Sequence, residues 1–233
     1  HRLRQRCAAI VIRRNQGYDF GSWKAALNLH RQDIEQSAFL VLTNDSFWGP
    51  ITPLDDLFQR LHASSADVIG LTDNLMYEPH LSSAFIAYKT KALSCQTFDC
   101  FWESLQIWPR KRDLVKQCEV GLPVQLRTAG LKLESLYTQN ANGNVLHYDW
   151  KHLIEQCGFP FLKVSLLRDN PTKQPVDTWP EVIGRRNPSL AASIQRQLRP
   201  KPSLQQLVSG LLRGLNGSEH MASRAEITPT SRR

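Results

Sequence analysis

Three short apolar runs constrain this chain more than any other feature: residues 38–42 (AFLVL), 67–71 (DVIGL) and 84–88 (AFIAY). Each is bounded by polar or turn-forming residues and is too short for a core helix, so each reads as a buried strand. Between them the apolar spacing changes to that of helices. Residues 53–62 open with a proline and two acidic residues and carry Leu54, Leu57, Phe58 and Leu61 on one face. Residues 97–105 read as an aromatic-rich helix with Phe98, Phe101, Trp102 and Leu105 at core spacing, and residues 20–30 form a further helical stretch. Residues 7–13 (CAAIVIR), 131–136 and 161–167 are expected to add strands, and residues 150–157 a short helix. Residues 113–129 read as one or two helices interrupted near Gly121 and Pro123 and closed by Gly130. Strands alternating with helices specify an α/β layer fold, in which ligands gather at the carboxyl ends of the strands. The loops at 15–19, 43–48 and 72–80 all follow expected strands, so they are expected to share one rim.

Composition narrows the function. With 41% apolar residues in 233, the chain can fill a core and is not a disordered segment. No apolar run approaches the roughly 18 residues of a membrane-spanning helix. The five cysteines are odd in number and include no Cys-x-x-Cys pair, which speaks against a zinc site or a disulfide framework and for reduced thiols in the cytoplasm. The net charge of +8 is unevenly spread: residues 1–184 hold 20 Lys and Arg against 19 Asp and Glu, and residues 185–233 hold nine against two. The basic stretch contains no aromatic residue, whereas single-strand nucleic-acid binders interleave charge with stacking rings. No specific nucleic acid is therefore expected as a partner; attraction to polyanions or to an anionic membrane surface is.

The expected organisation is an α/β domain over 1–184, a basic amphipathic helical extension over 185–216 and a disordered tail over 217–233. In the extension, Leu204, Leu207, Val208, Leu211, Leu212 and Leu215 share one face, suited to docking on protein or lying in a membrane interface. The first residue is His1 and no signal peptide follows it, so the chain reads as a segment of something longer.

Three clusters can carry chemistry. Asn15-x-Gly17-x-Asp19-x-Gly21 sits at a strand-to-helix turn, where glycines let a ligand approach the backbone and Asp19 can accept from a base or sugar hydroxyl. The plainer alternative is that the glycines only permit the turn and Asp19 caps the helix. Asp45, in Thr43-Asn44-Asp45-Ser46 just past a buried strand, is where a hard cation would be held with a diphosphate; Asn-Asp-Ser is also ordinary turn chemistry. Glu119 lies in a helical segment and gains interest only if it faces the same rim as Asp45.

Six stretches in this order resemble the rhamnan synthesis protein F family of bacterial polysaccharide assembly: RRNQGYDFGSWKAAL (13–27), FLVLTNDSFWGPITPLDDLF (39–58), DVIGLTDN (67–74), HLSSAFIAYK (80–89), CEVGLPVQLRTAG (118–130) and FPFLKVSLLRDNP (159–171). The resemblance covers roughly residues 7–183. More loosely, the order is similar to inverting glycosyltransferases of the GT-A type. It implies a GT-A-like, Rossmann-like sheet flanked by helices that lacks the first strand–helix–strand unit. It also implies Asn15, Gly17, Asp19 and Gly21 at the nucleotide, and Asp45 as the second acid of an Asp-x-Asp motif whose first position is Thr43. Glu119 falls where the general base stands, and Asp73 and His80 would border the acceptor pocket. Arg168 would meet phosphate, unless it pairs with Asp169.

The implied reaction is transfer of a deoxyhexose such as rhamnose from a nucleotide-sugar donor, dTDP-rhamnose or a similar compound, to a surface polysaccharide or lipid-linked acceptor. A divalent cation, Mg or Mn, would assist, in the cytoplasm or peripherally at the inner membrane. Two alternatives stand beside it: a non-catalytic carbohydrate- or partner-binding remnant of such a domain, and a basic accessory protein acting through residues 185–233.

Overall fold

All three apolar runs become strands in the computed structural model, which describes residues 3–75, 78–108, 110–138 and 144–199. The strands are β1 (Phe39–Thr43), β2 (Phe47–Trp48), β3 (Val68–Gly70), β4 (Asp73–Asn74), β5 (His80–Leu81), β6 (Phe85–Lys89), β7 (Leu133–Ser135) and β8 (Leu162–Lys163). The helices are α1 (Tyr18–Leu29), α2 (Arg31–Glu35), α3 (Asp55–Ala63), α4 (Thr90–Leu93), α5 (Gln96–Ser104), α6 (Lys111–Leu114), α7 (Gly121–Thr128), α8 (Val145–Tyr148), α9 (Trp150–Glu155), α10 (Val164–Arg168), α11 (Trp179–Gly184) and α12 (Pro188–Leu198). The central sheet has the order β1-β6-β3-β7, with β6 antiparallel to both neighbours and β7 parallel to β3. It is thus a mixed sheet flanked by helices. Two further pairs, β2 with β8 and β4 with β5, stand outside it.

Strand β6 explains why the apolar runs are continuous rather than alternating. Successive side chains point to opposite faces. Ile86 and Tyr88 enter a core with Phe20, Phe98, Phe101, Trp102, Leu122 and Leu126, while Phe85 and Ala87 enter a second with Leu57, Leu61, Leu146, Leu153 and Phe159. Val68 and Ile69 of β3 divide the same way. A sheet covered on both faces needs apolar residues at every position.

Residues 7–13 correct one expectation. They form no strand, and Ile10, Val11 and Ile12 are exposed, Ile12 at 90%. A β-branched run becomes a strand only where it pairs with another; β1 is an edge strand of the sheet, but its partner among the described residues is β6, and residues 7–13 do not join it. Residues 161–167 correct another: the extended part is only Leu162–Lys163, and Val164–Arg168 turns helical. The expected break near Gly121 and Pro123 is a change of winding. Residues 111–128 are continuously helical, with a π-helical stretch at Val115–Val120 between α6 and α7. Pro123 has no N–H for the Glu119 carbonyl and its ring crowds that oxygen, so a wider winding just before it relieves both.

The chain divides into two units, His1–Ala192 and Ser193–Arg233. Of the second, only residues 193–199 are described, and the amphipathic stretch 203–215 and the tail 217–233 lie outside the described residues. No helix among the described residues is long and apolar enough to cross a membrane.

Candidate functional site

The end of β1 and the start of β6 meet because the register pairs Thr43 with Phe85. The Asn44 amide and the Thr43 hydroxyl both donate to the Ala84 carbonyl, at 3.3 and 2.9 Å. This brings the loops 44–46 and 82–84 together. The Asn44 side chain fixes the first loop: its Oδ1 accepts from the Ser46 amide and hydroxyl, and its Nδ2 donates to Asp19 Oδ2 at 3.1 Å. The loop is thereby tied to the first turn of α1.

That turn is built on left-handed backbone. Gly17 caps α1 at φ 76°, and Tyr18 follows at φ 52°. A left-handed tyrosine is strained and persists only where its surroundings hold it; such strain clusters at functional sites. Gly21 is required for packing, since a Cβ there would stand 2.2 Å from the Gln16 carbonyl oxygen. Asp19 lies in the first helical turn, where the positive end of the helix dipole favours a carboxylate.

From the other side, the helical run 111–128 presents Lys111, Leu114, Val115 and Glu119 to the same space. The Ser83 amide and hydroxyl both donate to Glu119 Oε1, at 3.0 and 2.9 Å. Two donors on one oxygen orient the carboxylate and leave the other oxygen for a ligand. Lys163 arrives through β8, whose pairing with β2 sets it opposite Phe47. Its Nζ donates to Ser46 Oγ at 2.9 Å and lies 5.0 Å from the centre of the Phe47 ring.

These groups enclose a cleft of about 430 Å3 lined by Asn15, Asp19, Asn44, Asp45, Ser46, Ser83, Lys111, Glu119 and Lys163 among others. Three carboxylates and two ammonium groups share it. Desolvation draws the Lys163 pKa below its ordinary 10.5, and Lys111 pushes the same way, while Glu119, Asp19 and Asp45 act against them. Beside Glu119, burial drives the Cys118 thiol up to about 12, with the Glu119 charge adding to it; Cys118 is a core residue and no nucleophile. Asn15 and Tyr18 also border an adjoining hollow of about 470 Å3 with Ile107 and Trp108.

As for a metal, Asp45 is an exposed carboxylate of the kind that holds a hard cation. No group of three or more His, Cys, Asp or Glu suited to a metal ion occurs among the described residues. Magnesium is commonly held by one or two carboxylates completed by phosphate oxygens and water, so Asp45 fits a cation that arrives together with an anionic ligand.

The cleft therefore brings together Asn15, Asp19, Asp45 and Glu119, whereas Gly17 and Gly21 support the turn behind it. Asp73 and His80 do not line it. They belong to the β4–β5 pair, and His80 is buried at 2%, with its Nδ1 2.7 Å from the Glu78 carbonyl oxygen. The rim expected from the loops 15–19, 43–48 and 72–80 uses 82–84 in place of 72–80. Arg168 is exposed at the end of α10, away from the cleft lining, and among the described residues it makes no ion pair with Asp169. Lys163 and Ser83 were missed by sequence reasoning. The one available signal was a lysine inside the otherwise apolar run FPFLKVSLL.

Comparison with known proteins supplies the family. The chain is 32% identical over 142 residues to an uncharacterized protein, y4gN, of Sinorhizobium fredii, covering 59% of this chain and 37% of the relative. It is 26% identical over 204 residues to the virulence protein VirA of Vibrio anguillarum, covering 72% of this chain and 65% of the relative. It thus spans less than two thirds of the length of either relative. No solved structure matches it significantly. The family model described as rhamnan synthesis protein F matches residues 1–187, through the loops and helix that line the cleft, and the chain belongs to that family.

Proposed function

We propose that the cleft transfers a sugar from a nucleoside diphosphate carrier to a hydroxyl of a bacterial surface polysaccharide, with inversion at the anomeric carbon. The observation that carries this reading is that Glu119, Asp45 and Asp19 line one cleft although they lie on three separate elements. In the proposed step the acceptor oxygen forms a bond to the anomeric carbon and the bond from that carbon to the diphosphate oxygen breaks. The electron pair leaves with the diphosphate, and the acceptor proton passes to Glu119 Oε2. Ser83 holds Oε1 and so aims the second oxygen at the incoming hydroxyl.

Asp45 would hold a magnesium or manganese ion together with the donor phosphates. When bound, that ion supplies positive charge against the leaving group. Asp19 and Asn15 would contact the nucleoside, and the hollow beside Tyr18 and Trp108 offers ring surface for a base or sugar. The family description supports a rhamnan as product and hence a deoxyhexose donor such as dTDP-rhamnose. The basic stretch from residue 185 onward supports a peripheral position at an anionic membrane face, where a lipid-linked acceptor would be met.

The test is Glu119→Gln. The amide keeps the shape and an oxygen for Ser83 but takes no proton, so transfer from dTDP-rhamnose should fall about 10²–10⁴-fold with donor binding retained. Transfer at the wild-type rate would remove Glu119 from the mechanism.

A further inference from the structure

We propose that Lys163 is the anion-binding residue of the cleft, its ammonium taking a phosphate oxygen of the donor diphosphate. The identity of the anion rests on the sugar-transfer reading; the existence of the anion site does not.

The argument begins with what Lys163 lacks. An ammonium has three donors. One meets the neutral Ser46 hydroxyl, and the group also lies over the Phe47 ring. Among the described residues no carboxylate stands within the 4.0 Å of an ion pair. A partly buried charge without a counter-ion is unfavourable, and folded chains ordinarily pair it or shift its proton. Here desolvation already disfavours the charged form.

Glu119 most, then Asp19 and Asp45, favour the Lys163 charge from across the cleft, but among the described residues none of them stands at ion-pair distance from it. Asp19 accepts from Asn44 and Glu119 accepts from Ser83. Lys111 makes the position of Lys163 worse, because it lines the same cleft and repels the same ammonium. Two lysines that line one open cleft can be bridged by a polyanion with an oxygen for each. A diphosphate has oxygens enough for both, and the cleft, at about 430 Å3, is larger than a simple inorganic anion needs.

The backbone also treats Lys163 as a placed residue. The two-residue β2–β8 pair holds it opposite Phe47, and the Val164 amide donates to the Ser46 carbonyl at 2.8 Å. The lysine is thus clamped to the loop that carries Asp45. A cation at Asp45 and the ammonium of Lys163 would face the same diphosphate from one loop and the strand pair beside it.

The experiment is calorimetric titration of the full chain with inorganic pyrophosphate, and separately with dTDP and UDP, each with and without manganese. Wild type should bind pyrophosphate and a nucleoside diphosphate, Lys163→Met should weaken both by roughly tenfold or more, and Lys163→Arg should stay close to wild type. Equal binding by wild type and Lys163→Met overturns the proposal while leaving the sugar-transfer reading in place. Pyrophosphate binding that depends on Lys163, with no affinity for either nucleotide, upholds the anion site and overturns the nucleotide-sugar reading. Should Lys163→Met fail to fold, competitive acetylation of wild type decides. Pyrophosphate should slow modification of Lys163, and an unchanged rate overturns the assignment.

Discussion

The two ends of strand β6 use the same residue types in opposite ways. At the Lys89 end, Asp67 Oδ2 accepts from Lys91 Nζ at 3.0 Å and from the Lys132 amide at 2.8 Å. The backbone bond from Lys132, more than the partly opposing desolvation or the Lys91 pair, holds the Asp67 carboxyl below its ordinary range. At the Phe85 end, Asp19, Asp45 and Glu119 share a cleft with Lys111 and Lys163, and no ion pair forms between them among the described residues. Charges that satisfy one another tie the fold together. Charges kept apart beside a cavity leave unfavourable free energy that a ligand can relieve.

The sharpest way to separate the two ends is to neutralise one acid at each. Glu119→Gln should lower sugar transfer by about 10²–10⁴-fold with little change in melting temperature, as read by a coupled diphosphate-release assay and calorimetry. Asp67→Asn should do the reverse: activity persists while stability drops by roughly 1–3 kcal/mol in urea unfolding, because a charge-assisted bond to backbone and a buried acceptor are weakened. If Asp67→Asn removed activity and left stability intact, the contrast would collapse.

Acid titration sharpens the same point. Asp67 is lowered from 3.8, so its contribution is fully present above that value and is lost as pH falls through the lower folded-state value. Wild type should therefore lose stability below about pH 4 more steeply than Asp67→Asn, as acid unfolding followed by circular dichroism would record. The smallest effect is expected from Lys163→Met in the ligand-free chain. Removing a desolvated, unpaired charge should leave the melting temperature unchanged or raise stability by up to about 1 kcal/mol. A clear loss would mean that Lys163 serves the fold.

How much of this was legible depended on the range of the interaction. Residues 38–42 and 84–88 announced strands because a two-sided sheet writes an unbroken apolar run, and residues 53–62 announced a helix because its spacing repeats within a few residues. Residues 7–13 misled because a β-branched run does not by itself make a strand: β1 and β7 are edge strands of the sheet, and residues 7–13 pair with neither. His80 was expected beside an acceptor and is buried in β5 instead, because burial depends on neighbours far away in sequence. Asp45 and Glu119 were legible as candidates from the residues, one at the end of a strand and the other in a helix, while their sharing a cleft was expected only through the family resemblance.

The amino-acid sequence by itself determined the alternation of strands and helices, the neutral body with its basic extension, and the placing of Asp45 in a polar loop just past a strand. Each follows from patterns read over a few residues, or from composition. Tertiary structure alone decided that Lys163 meets Ser46 across 117 residues and lies in one cleft with three carboxylates. The physical reason is that a helix closes its hydrogen bonds within its own stretch, whereas a strand pair such as β2–β8 exists only after distant segments have met.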